Sequence, residues 1–214
     1  MTTDLKPFDE IARKAMLNNH RDEGGAGYTY HHCRRVAQLA RTLAASDELQ
    51  GRGVDVETMT IAAMFHDVGR DIDPKNHCKA GREFVLKELG PLLPQEQLER
   101  VALVVMRHNR PVNTESEIIH DADLIDHCGA MNTWRLFSYF THNGGNQYDV
   151  LKYFDDNKDR WLLKHIEWAI FETAREEIRR RIAFEERFIE ELRRELNCEL
   201  PAGDNVGKGL SLDP

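Results

Sequence analysis

The chain has 214 residues, 41% hydrophobic and 31% charged, with a formal net charge of −8. That length suits one domain, or one with an appendage, and can bury a core without disulfide or metal staples. The acidic balance argues against non-specific nucleic-acid binding as the main task, which wants a basic surface, but is compatible with a small basic pocket for a phosphate.

Apolar residues recur mostly at helical spacing and strand alternation is scarce, so the expected fold is all-α. Helices are expected over about 5–18, 29–46, 56–67, 77–89, 95–109, 116–140, 148–155 and 159–197. Punctuation falls between them: Gly24-Gly25-Ala26-Gly27, Gly51-Arg52-Gly53, Asp73-Pro74, Gly90-Pro91, Arg110-Pro111 and Gly144-Gly145. The last helix is long, with eight Glu and seven Arg between Glu172 and Leu196, and carries an apolar stripe of Ile170, Ala174, Ile178, Ile182, Ile189 and Leu196. The stripe packs along the body or leaves room for a homodimer, and the charged face is expected in solvent. Residues 198–214, rich in glycine, are expected to form a disordered tail.

The longest apolar run, Val101 to Met106, is far short of a membrane span, and the first residues hold no apolar signal region. No membrane partner is expected, and the default location is the cytoplasm. The cysteines, Cys33, Cys78, Cys128 and Cys198, are scattered with no CxxC, so they are read as reduced and structural. Three of them follow a histidine, but neighbouring helical side chains diverge by roughly 100°, so a His-Cys pair is not expected to share a metal.

Ten histidines are many for this length. His32 lies at helical spacing with Val36, Leu39 and Leu43. His66 follows Met59 and Ala62, His108 follows Val101 and Val104 or Val105, and His77 leads Gly81 and Phe84. Four histidines from four helices thus point inward, with Asp67 adjacent to His66. Imidazole and carboxylate are the usual ligands of first-row divalent metals. A His-Asp dipeptide alone says little, since chance gives about one in this composition and two occur. His66-Asp67 differs from His120-Asp121 in context: it ends the apolar run Ile61–Phe65 and precedes Val68-Gly69-Arg70.

Taken in order, His32-Cys-Arg-Arg35-Val36, His66-Asp67-Val-Gly69-Arg70 and Asp121-Ala-Asp123-Leu-Ile-Asp126 resemble the motifs of HD-domain metal-dependent phosphohydrolases. Asn76-His77-Cys-Lys-Ala-Gly81 and Met106-Arg107-His108 add to the match. The resemblance covers about 28–130, and the distal part resembles the closing helix of small bacterial single-domain members. It implies an HD-type helical bundle over 1–197, with the metal-binding core at about 28–130 and closing helices over 131–197. It further implies a first metal held by His32, His66, Asp67 and Asp123, with Asp121 as the alternative to Asp123. A second metal would use Asp67 as a bridge, with His77 and His108. One or two divalent transition ions are implied, from Mn, Fe, Ni, Co or Zn. Asp67 and Arg70 are the expected catalytic residues; Arg70, Lys75, Arg107 and Arg110 are the expected substrate contacts.

The implied activity is phosphohydrolysis of a nucleotide or other small phosphorylated metabolite by metal-activated water. Two other readings stay open: an HD-type di-iron oxygenase, and a non-catalytic module that binds a metal or nucleotide. The chain departs from the 5′-nucleotidase pattern after the HD pair, where only Asp71 approximates the usual Glu proton donor. It departs from the cyclic-dinucleotide branch because Asn109, not His-Glu, follows His108.

Overall fold

The computed structural model of the chain describes residues 4–21 and 25–199. The described residues form ten α-helices: α1 (Lys6–Met16), α2 (Tyr28–Ala44), α3 (Val56–Phe65), α4 (His77–Glu88), α5 (Gln95–Arg107), α6 (Thr114–Asp126), α7 (Ala130–His142), α8 (Gln147–Asn157), α9 (Leu162–Trp168) and α10 (Glu172–Leu196). The all-α class and the long last helix expected from the spacing are both present. From residue 200 onward, the expected tail lies outside the described residues.

Helix α3 is the centre of the molecule. Every residue from Thr58 to Phe65 is buried, as suits a helix that is apolar all round. Asp55 starts it by accepting the Thr58 N–H. Helices α2 and α5 pack on α3, α6 packs on α2, and α4 packs on α5. One hydrophobic cluster runs from Phe8 in α1 to Ile189 in α10. No helix of the described residues is long and apolar enough to cross a membrane.

Three local readings are corrected. The segment expected as one helix over 116–140 is two, α6 and α7. Gly129 breaks it with φ +84°, and a Cβ there would press on the Arg181 side chain of α10 at 3.1 Å. The segment over 159–197 also divides. The Asp121 carboxylate accepts the backbone N–H groups of Ile170 and Phe171 at 2.8–3.0 Å, and Glu48 accepts those of Glu172 and Thr173, so α10 starts afresh at Glu172. Ile170 therefore leaves the apolar stripe and is 38% exposed, while Ala174, Ile178, Ile182 and Ile189 are buried. The first glycine-rich break holds a short antiparallel pairing of β1 (His20–Arg21) with β2 (Gly25–Ala26), which no alternation announced.

The charged face of α10 is not wholly solvated. Glu185 is buried and accepts hydrogen bonds from the Gly129 N–H and the Asn132 side-chain amide.

Candidate metal centre

Two helices end on a histidine in the same way. His66 caps the C-terminus of α3 and His108 that of α5. Each turns its Nδ1–H back onto the carbonyl three residues earlier, Ala63 and Val105, at 2.8 Å. Those carbonyls are among the last in each helix, which lack an intrahelical donor. A carbonyl can only accept, so Nδ1 carries the proton and Nε2 presents its lone pair in the neutral ring. His32, on α2, is oriented from behind by a carboxylate: Asp126 Oδ2 lies 2.7 Å from its Nδ1, and Arg35 holds Asp126 at 2.8–2.9 Å. His77 completes the pattern. Asn109 donates to its Nε2 at 3.0 Å, so in the neutral ring the proton sits on Nδ1.

The Nε2 atoms converge. The rings of His127, His32, His66, His108 and His77 form a string with successive centroids 5.1–5.6 Å apart. Asp123 Oδ1 lies 3.1 Å from His32 Nε2 and 3.8 Å from His66 Nε2. Asp67 lies between the two ends of the string. Its Oδ2 is 3.8 Å from His32, and its Oδ1 is 3.5 Å from His108 and 3.8 Å from His77. Five buried polar atoms of this cluster make no hydrogen bond: His32 Nε2, His66 Nε2, His108 Nε2, Asp67 Oδ1 and Asp123 Oδ1. A buried polar atom left without a partner costs roughly 1–3 kcal/mol, so five aimed at one small volume suit a cation. Neighbouring ligands around a first-row ion sit roughly 3 Å apart, and these atoms are close to that spacing. His32, His66 and Asp123 form one donor group that could hold a metal, and His77, Cys78 and His108 another.

The charge state follows from the same contacts. Burial disfavours the Asp67 and Asp123 carboxylates. The surrounding imidazoles overcome it, together with Arg70 at Asp67, and hold both well below the usual carboxylate range. Burial likewise opposes charge on His32, but Asp123 and Asp126 hold its pKa well above the ordinary value. His127 differs, since burial pushes it down to about 3.

A cleft of about 270 Å³ opens on the cluster, lined by Tyr28, Thr29, His32, Asp67, Arg70, His127, Arg135 and Trp161. Arg70 spans site and cleft, with its Nε 2.5 Å from Asp67 Oδ2. Asp71 accepts a hydrogen bond from Thr29. A larger hollow of about 620 Å³ lies on the Asp126 side of His32, lined by Arg34, Arg35 and Arg181 among others. None of its lining residues has a buried polar atom lacking a partner, so the smaller cleft is the better place for chemistry.

Of the residues singled out from sequence, His32, His66, Asp67, Asp123, His77, His108 and Arg70 come together here. Lys75, Arg107 and Arg110 are exposed and do not line the cleft. Asp121 is occupied with Ile170 and Phe171, away from the cluster. His127, Arg135 and Trp161 carry no expected role, and Asp126 stands in the quoted motif without one. His127 had a signal, one helical turn after Asp123; Arg135 and Trp161 come from the closing helices and had none. The divergence expected of neighbouring helical side chains does not keep His77 and Cys78 apart: their Nε2 and Sγ lie 3.4 Å from each other.

Residues 29–131 match the model of the HD domain family. The chain carries an HD domain. Its relatives of known structure include the Bacillus subtilis protein YpgQ in complex with ADP, at 19% identity and a TM-score of 0.64, covering 90% of this chain and 98% of that one. An HD-superfamily hydrolase from Bacillus thuringiensis matches at 23% identity and a TM-score of 0.66, covering 90% and 96%. A predicted HD-superfamily hydrolase from an uncultured Thermotogales bacterium matches at 22% and 0.65, covering 90% and 92%. At these identities the shared property is the fold. No curated protein sequence matches the chain.

Proposed function

We propose that this HD domain is a metal-dependent phosphohydrolase acting on a nucleotide or another small phosphoester. The observation that carries the reading is the set of five buried, unbonded donor atoms beside a cleft that holds Arg70. His32, His66, Asp67 and Asp123 would hold a first divalent ion, and Asp67, His77 and His108 a second. Bound there, a transition ion supplies a hydroxide at neutral pH and neutralises charge on phosphoryl oxygens.

The chain's own groups do the rest. Asp67, kept ionised by its imidazole neighbours and Arg70, faces one oxygen toward each end of the histidine string and orients the attacking water. Arg70 engages Asp67 through Nε, which leaves its terminal N–H groups for phosphoryl oxygens in the cleft. Arg135 lines the same cleft and adds positive charge for the leaving group. Lys75, Arg107 and Arg110, exposed beside His77 and His108, add long-range positive field that draws an anionic substrate in. The ADP held by YpgQ, which shares the fold, supports a nucleotide as the phosphoester.

The test is His66→Ala against wild type. Metal content is measured first, then hydrolysis of a panel of nucleoside mono-, di- and triphosphates with Mn²⁺ or Co²⁺. At least one substrate is expected to turn over, and the variant to lose on the order of 100-fold or more. Unchanged activity in His66→Ala overturns the reading. Bound iron with oxygen consumption and no phosphate release favours the oxygenase; nucleotide binding without turnover favours a binding module.

A further inference from the structure

The His77 end of the histidine string holds a donor that the HD motif does not ask for. Cys78 Sγ lies 3.4 Å from His77 Nε2, and His77, Cys78 and His108 place one donor atom each within 4.8 Å of one another. A tetrahedral ion with metal–sulfur bonds of about 2.3 Å and metal–nitrogen bonds of about 2.05 Å separates its sulfur and nitrogen ligands by roughly 3.6 Å. The same geometry separates nitrogen and oxygen ligands by roughly 3.4 Å. Asp67 Oδ1 lies 3.5 Å from His108 Nε2, and both are buried and unbonded. The Asn109 side-chain amide donates to His77 Nε2 at 3.0 Å and to Cys78 Sγ at 3.5 Å. An ion bound by both would take the place of this exposed amide, whose bonds hold His77 Nε2 and Cys78 Sγ side by side.

We propose that Cys78 is a thiolate ligand of the second ion, in a set with His77 and His108. This rests on the metal-centre reading above and extends it by one ligand and by a metal class. As the sulfur–metal bond forms, the thiol proton leaves to solvent. A soft thiolate selects Zn²⁺, Co²⁺ or Fe²⁺ and rejects Mg²⁺, whereas His32, His66 and Asp123 offer only nitrogen and oxygen. The two ends of the site thus differ in the ions they accept. Of the other described cysteines, Cys33 lies against His66, so a band that survives in Cys78→Ser points to it; Cys128 is buried in the hydrophobic cluster, and Cys198 is exposed beyond α10.

The experiment titrates the chelator-treated full chain with Co²⁺ and records its absorption spectrum. Thiolate-to-cobalt charge transfer in the near ultraviolet is expected, rising to one equivalent. Zn²⁺ abolishes it; Mg²⁺ does not. Cys78→Ser is expected to lose the band and keep the visible cobalt absorption of the nitrogen and oxygen site, while Cys198→Ser keeps both. Cobalt absorption without charge transfer in wild type overturns the thiolate ligand and leaves the metal centre standing. No cobalt absorption of either kind overturns both, and a band that survives in Cys78→Ser overturns the assignment. A second readout needs no variant: alkylation of Cys78, followed by peptide mass spectrometry, is expected to slow about tenfold or more when Zn²⁺ is added. An unchanged rate with bound Zn²⁺ overturns the ligand.

Discussion

Single residues around the site act through each other. Asp126 touches no candidate metal position, yet it holds His32 by Nδ1 and is itself held by Arg35; against the cost of burial, His32 and then Arg35 keep its carboxyl well below the usual range. Such outer partners of ligating histidines are worth about 10–100-fold in metal affinity. Asp126→Asn is expected to weaken Co²⁺ or Mn²⁺ binding by that factor, measured by chelator competition, with native helicity retained. Glu185 makes a different prediction. Burial raises its pKa to about 7, against the opposing hydrogen bonds from Asn132 and Gly129. The folded chain therefore holds this proton more tightly than the unfolded chain does. Its contribution to stability is complete below the ordinary carboxylate value and falls as pH rises to about 7, by on the order of 3 kcal/mol at most. Glu185→Gln cannot titrate. In urea denaturation, wild type should lose stability relative to Glu185→Gln between about pH 5 and pH 8; a constant difference would refute the assignment.

At the scale of elements, the site depends on how closely the turn after α3 meets the start of α4. A Cβ on Gly69 would fall 1.9 Å from the His77 carbonyl oxygen and 2.6 Å from the Gly81 nitrogen. Both are backbone atoms and neither can yield. Gly69→Ala must push Asp67 and His77 apart, so a destabilisation of about 2 kcal/mol or more is expected in a urea melt, with loss of metal binding in whatever fraction stays folded. The glycine of the HD motif was legible as a turn. Its packing role was not, because the clash is with α4, eight to twelve residues away in sequence. Likewise the spacing showed that 116–140 and 159–197 are helical but not where they break. The groups at the breaks are Gly129, packed on Arg181, and Asp121, which captures N–H groups about fifty residues distant. Periodicity sees residues three and four apart and has no term for a cap supplied from elsewhere.

For the whole molecule, one hydrophobic cluster links α1 to α10, and residues 1–197 are proposed to unfold as one unit. Calorimetry should show a single transition for the metal-free chain. Adding Co²⁺ or Mn²⁺ at about a hundred times its dissociation constant stabilises the native state by about 2.7 kcal/mol, which raises the Tm by roughly 5–10 °C at this size. The shift should shrink in a His32→Ala/His66→Ala variant, which keeps only the His77 and His108 end of the site. Two separate transitions would refute the single unit, and an equal shift in the double variant would place the ion elsewhere.

The sequence by itself determined the all-α class, the HD domain and the inward direction of His32, His66, His77 and His108. Each of these depends on local periodicity or an ordered motif. Which aspartate joins the histidines was decided only in three dimensions: Asp121 and Asp123 are equivalent by spacing, but the turn before α10 claims one and His32 meets the other. The cleft wall formed by Arg135 and Trp161 and the nearness of Cys78 to His77 were decided there too. Both depend on contacts between distant segments or on side-chain reach, and helical spacing encodes neither.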